Sequence, residues 1–132
     1  MAIEDALAAF IANQATLTDV LGAEIRYFPI VNKTQPPIYP YITYQHISTR
    51  RDPNHDGKNG FAITRIQLTL WAQSYSAISD LAIRLWALLY GYKGIWGSIR
   101  IDAVFVENEI DEYSSETQIY QRVLDLLIQH SE

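Results

Sequence analysis

The apolar positions between Phe61 and Tyr92 change their period partway along. From Phe61 to Ser74, Thr64, Ile66, Leu68, Leu70 and Ala72 alternate with Ile63, Arg65, Gln67, Thr69 and Trp71. That two-residue period predicts a strand whose first set faces a core. Ile78, Leu81, Ala82, Leu85, Leu88, Leu89 and Tyr92 then recur at helical spacing. This predicts a helix that folds back onto the sheet containing that strand. Ser74 or Ser76 can cap it, with Asp80 near its first turn. Burying such a stripe is worth roughly 1.5–3 kcal/mol for each large side chain before entropy is subtracted.

The remaining pattern fills in a small domain. Ile3, Leu7, Phe10 and Ile11 repeat at helical spacing among alanines, with Glu4 and Asp5 near the positive end of the helix dipole. That helix should fray near Asn13 and Gln14, and Leu17, Val20 and Leu21 form one further turn closed by Gly22. Residues 24–30 read as a short strand, with Pro29 marking an edge or an end. Pro36, Pro37 and Pro40 make 31–40 an extended connector. Residues 41–50 are β-branched and aromatic, as strands are. The polar segment 51–60 joins them to the strand at 61–74 as a long hairpin with a mobile tip. Gly91, Gly94 and Gly97 end the long helix and turn the chain. Residues 98–107 alternate as a strand, 108–116 read as an acidic loop, and 117–130 as the last strand or a strand–helix ambiguity, partly apolar on both faces, which suits a central or doubly covered strand. The expected fold is α+β over residues 1–132: an antiparallel or mixed sheet of about four to five strands with a long β-hairpin, packed against two main helices. No internal repeat and no domain boundary interrupts it.

Composition narrows the chemistry. With no cysteine, disulfides, thiolate metal sites and cysteine nucleophiles are excluded. No apolar run reaches the length of a membrane helix, and Glu4 and Asp5 replace the basic start of a signal peptide, so a soluble, cytoplasmic chain is expected. A net charge of −5 weighs against a dedicated nucleic-acid binder. The nine tyrosines and three tryptophans suit cores and protein interfaces alike.

Candidate catalytic groups do not gather. His46, His55 and His130 have no metal-ligand spacing. The glycines at 91, 94 and 97 follow a helix instead of opening one, so they cannot direct helix amides at a phosphate. Catalytic, metal and cofactor-binding residues are all expected to be absent. Two charged segments remain. Arg50, Arg51, Lys58 and Arg65, with Phe61 beside them, make the hairpin basic, although Asp52 and Asp56 dilute it. Glu107, Glu109, Asp111, Glu112 and Glu116 make five acids without a base between 107 and 116. The basic hairpin of one copy can meet the acidic segment of a neighbour, and head-to-tail contact of this kind closes rings. These ten residues are therefore the expected subunit or partner interface.

Several stretches carry a family resemblance. They are the N-terminal Ala-Leu-Ala-Ala-Phe-Ile helix, Pro40-Tyr-Ile-Thr-Tyr44, Ile66-Gln-Leu-Thr-Leu-Trp-Ala72 before the helix with Asp80-Leu-Ala-Ile-Arg84, and Tyr120-Gln-Arg-Val-Leu-Asp125. In that order and spacing, the whole chain resembles the tail completion proteins of long-tailed bacteriophages, and in architecture the tail terminator of lambda-type phages. The resemblance implies a structural role without enzymatic activity or cofactors. The chain would sit in the tail–neck region of a virion, assembled in the host cytoplasm. It would cap the tail tube, usually as a hexameric ring, stop polymerisation and present a surface to the head connector. Its partners would be itself, the major tail tube protein and the connector protein, with DNA passing through unbound. Other readings are a different neck component (a head–tail adaptor or minor tail protein), a small ligand-binding domain or enzyme, and a nucleic-acid-binding module. A concave pocket where His46 meets carboxylates would favour the enzyme.

Overall fold

The structure is a computed structural model and describes residues 2–21, 26–33, 36–51 and 61–131. Among them the chain forms α1 (Ile3–Ala12), α2 (Ala15–Leu21), β1 (Tyr27–Pro29), β2 (Tyr41–Arg51), β3 (Phe61–Ala72), α3 (Tyr75–Leu89), β4 (Gly94–Trp96), β5 (Ile99–Ser114) and β6 (Ile119–Ser131). The strands make one curled, mixed sheet, a half-barrel, in the order β1-β2-β3-β6-β5-β4. Only the β1–β2 pair is parallel.

The alternation in β3 sets the layers. Thr64, Ile66, Leu68, Leu70 and Ala72 are buried, and every residue between them is partly exposed. The buried side faces α3, which begins where the Ser74 hydroxyl accepts a hydrogen bond from the Ala77 amide at 3.2 Å. Ile78, Leu81, Ala82, Leu85 and Leu89 of α3 are buried against the sheet. The helix stops at Tyr90, and Gly91 follows at φ +72°, a left-handed conformation that costs glycine little. Gly97 turns at φ +62°, and a methyl group on Gly94 would stand 2.6 Å from the Tyr92 hydroxyl. Phe10, Tyr92 and Trp96 then meet with ring centroids 4.9 to 5.5 Å apart, fastening α1 to β4.

Strands β3 and β5 run in the same direction, joined through α3 and β4, and leave a gap that β6 fills by pairing antiparallel with both. The central position expected for 117–130 is thus observed. Among the described residues the sheet has six strands and the helices number three, because the three-residue β4 and the two-turn α2 join the expected elements. The short strand at 24–30 is β1, at the sheet edge and ending on Pro29. Gly22 and the hairpin tip at 52–60, with Lys58, lie outside the described residues.

One segment corrects the expectation. Residues 108–114 are strand, not loop, each paired across to β6 from Asn108↔Asp125 to Ser114↔Ile119. Acidic residues are poor strand formers in isolation, but a strand needs only a partner and a place for its side chains. Here the partner is the far half of β6, and the acidic side chains stay exposed.

Leu81→Asp or Leu85→Asp is expected to prevent folding, seen as loss of the far-ultraviolet circular dichroism signal. Leu85→Ala should cost about 2–5 kcal/mol in urea unfolding, while Ile83→Ala, at an exposed position of the same helix, should stay within about 0.5 kcal/mol.

Candidate functional site

The helices cover one face of the sheet and leave the other open. Cross-strand partners place Ile63, Leu127 and Phe105, then Val123 and Ile110, on that open side. Phe105 and Ile110 are 40% and 48% exposed. At its lower end the open face is closed by rings: Trp71 stacks on Tyr41 with centroids 5.7 Å apart and donates its indole hydrogen to the Thr43 hydroxyl at 3.0 Å. On the far side of α3, Ile83, Trp86 and Tyr90 are also exposed, with the last two rings stacked at 4.3 Å.

The residues expected at an interface separate to opposite ends of the sheet. Arg50 and Arg51 close β2, Phe61 opens β3 opposite Ser131, and Arg65 lies a turn of pleat below. Glu109, Asp111 and Glu112 occupy the far half of β5, and Glu116 lies in the turn beyond it. Two groups are compensated within the chain. Arg65 pairs with Glu107 at 2.7 Å. Arg122, only 11% exposed, holds both Asp111 oxygens, reaches Glu109 at 3.5 Å, and lies over the Tyr75 ring at 5.4 Å. The Tyr75 hydroxyl donates to Asp111 at 2.9 Å, and Arg122 also donates to that hydroxyl at 3.1 Å. The hydrogen bond from Arg122 lowers the pKa of Asp111 against a smaller opposing effect of burial, and Tyr75 adds to the lowering. The same bond raises the pKa of Arg122. This cluster ties the start of α3 to the β5–β6 hairpin. A lone arginine in an apolar strand gave no sequence signal of it.

A second arrangement was also invisible in the sequence. At the end of the sheet with Arg51, a groove of about 330 Å³ is walled by Ile3, Glu4, His46, Thr49, Thr64 and His130, among others. His46 Nε2 lies 2.6 Å from the Thr49 hydroxyl, Thr49 lies 3.0 Å from the Thr64 hydroxyl, and Thr64 lies 2.7 Å from His130 Nε2. His130 Nδ1 donates to the Ser131 carbonyl at 2.7 Å. A hydroxyl beside an oriented imidazole has the outline of an activated nucleophile. Thr64, however, is fully buried and His130 nearly so, so no substrate carbon can reach that oxygen. His46 Nε2 meets the Thr49 hydroxyl, and Glu4 is the carboxylate that shares the groove with it. Among the described residues, no three histidine, aspartate or glutamate side chains gather to hold a metal ion, and no helix is long and apolar enough to cross a membrane.

These features define a two-layer α+β fold: a half-barrel sheet with helices on one side and its other side open. The chain matches no protein-family model and no curated protein. It does match a chain in the solved structure described as "Virion of native gene transfer agent (GTA) particle", with a TM-score of 0.75, 11% identity, and coverage of 99% of this chain and 96% of that one. At that identity the likeness establishes a shared fold over essentially the whole of both chains.

Because the folded-state pKa of Asp111 is depressed, its contribution to stability is present above the unfolded value, about 3.9, and is lost as pH falls through the folded value. Asp111→Asn should therefore flatten the loss of thermal stability below about pH 4, measured as Tm against pH, while lowering Tm at neutral pH.

Proposed function

We propose that this chain is a structural component of a phage-like virion, and within it the tail completion protein that ends tube growth and joins tail to head. The observation that carries this reading is the end-to-end likeness to a virion chain. Nearly equal coverage of both chains means the shared unit is the whole domain and not a common submotif. The residue resemblance at Pro40–Tyr44, Ile66–Ala72 and Tyr120–Asp125 points the same way.

The geometry suits a part that works by contact. It exposes apolar side chains on an open sheet face and on the outer face of α3, and the charged residues expected at an interface lie toward opposite ends of the sheet. In this reading copies of the chain form a ring in the neck, a hexamer by the family resemblance. One rim meets the last turn of the tail tube and the other meets the connector. DNA passes through the lumen without sequence-specific contact, which suits a net charge of −5.

Electron microscopy of particles assembled without this protein tests the role. Overlong tube polymers without heads are expected. Tails of normal length lying beside separate heads would assign the chain to head–tail adaptor instead, and intact mature particles would overturn both readings.

A further inference from the structure

Among the described residues the sheet has two strand edges left unfinished, and they differ in charge. On β2, pairing with β1 covers Ile42 to Tyr44, and the Ile30 amide closes the Tyr44 carbonyl. From Gln45 to Arg50 no backbone partner lies on the side away from β3 among the described residues. On β5, pairing with β4 covers Ile99 to Ile101, and the Gly91 amide reaches the Val104 carbonyl. From Phe105 to Ser114 no other strand lies on the side away from β6 among the described residues. An edge with unpaired amides and carbonyls is a template for another strand. The β2 edge ends in Arg50 and Arg51, and the β5 edge carries Glu112 together with Glu107, which faces Arg65, and Glu109 and Asp111, which face Arg122 of their own chain.

We propose that the free edge of β5 in one copy of this chain pairs, antiparallel, with the free edge of β2 in the next, continuing the sheet from subunit to subunit. The proposal deepens the reading of the chain as a self-assembling virion part and rests on it.

Charge selects this pairing over its rivals. Two β2 edges together would oppose arginines, and two β5 edges would oppose carboxylates; like charges facing across strands destabilise the pair. Only the mixed contact joins opposite charges. Direction agrees as well: β2 and β6 run one way and β3 and β5 the other, so neighbours in the same orientation meet antiparallel.

Register follows from the obstacles. Strands β1 and β4 shield diagonally opposite parts of the two edges, so neighbours cannot meet level. A slide of roughly six residues, about 20 Å along the strands, clears both. An even slide also keeps the helix-covered faces on one side, because side chains alternate. It sets Ser48 opposite Glu112 on the open face and Arg51 opposite Glu109 on the other, with Arg50 diagonal to Glu112. Closed arrangements of strands require such a stagger, with the strands tilted to the axis.

The chain has no cysteine, so Ser48→Cys and Glu112→Cys each place a single thiol. Neither residue belongs to the Arg122 cluster. The two purified variants, one carrying a mass tag, are mixed under mild oxidation at a concentration where the unaltered protein sediments as an oligomer. The mixed 48–112 disulfide is expected to exceed either symmetric product at least about tenfold, and Arg50→Glu should weaken assembly about as much, with Glu112→Arg restoring it. Circular dichroism shows whether each variant is folded. Predominant 48–48 or 112–112 products, no disulfide from folded oligomers, or a protein that stays monomeric at every attainable concentration would overturn the proposal. A missing link alongside overlong, headless tubes in particles without the protein would remove this contact and leave the neck role standing. The link forming alongside normal particles would do the reverse.

Discussion

Everything in this molecule depends on β6 finding the slot between β3 and β5. Those two strands are parallel and one strand-width apart, and neither has another long partner on that side. Without β6 the sheet would fall into two fragments: β1, β2 and β3 on one side, and β5 with the three residues of β4 on the other. The insertion also decides burial. Leu124, Leu126 and Ile128 complete the layer that Ile66, Leu68 and Leu70 begin, and Leu81, Leu85 and Leu89 of α3 close it. Because β6 lies far along the chain from β3, this assembly is dominated by non-local contacts, which slows folding relative to a helical bundle of equal size.

The same arrangement leaves surfaces unspent. Helices cover one side of the sheet only, so the other keeps Phe105, Ile110 and their neighbours in water. Scattered apolar exposure of this sort is ordinary. What is less ordinary is its combination with two unfinished edges of opposite charge. Bulges at His46/Ser48 on β2 and at Val106/Asn108 on β5 twist those edges, and charged side chains guard them. Such devices normally keep edges apart from one another. When the guards on the two edges carry opposite sign, they exclude only the symmetric encounters.

The parts legible in the sequence were those whose physics is local. The β3 alternation reads correctly residue by residue, the α3 stripe does so at Ile78, Leu81, Ala82, Leu85 and Leu89 while Leu88 is half-buried and Tyr92 lies past the helix, and Ser74 caps as its position suggests. Of the three glycines, Gly91 follows the helix end and Gly97 turns the chain, both in the left-handed conformation, whereas Gly94 opens β4. The acidic half of β5 read as loop because its composition opposes a strand and its partner lies beyond a turn in β6. Of the candidate interface, residue types were legible and pairings were not. Arg65 spends its charge on Glu107, and Arg122, which looked like one more strand residue, gathers Asp111 and Glu109. The histidines were judged by sequence spacing, whereas β2, β3 and β6 lie side by side and bring His46 and His130 to the two ends of one row of hydroxyls.

In that row the Ser131 carbonyl can only accept, so His130 donates to it from Nδ1 and turns Nε2 toward the Thr64 hydroxyl. The Thr64 hydroxyl meets that of Thr49, which in turn meets His46 Nε2, so the row runs unbroken from β6 through β3 to β2. Four side chains on three strands thus share one polar seam through an otherwise apolar layer, and loss of the Thr64 hydroxyl would leave the buried His130 Nε2 without its partner.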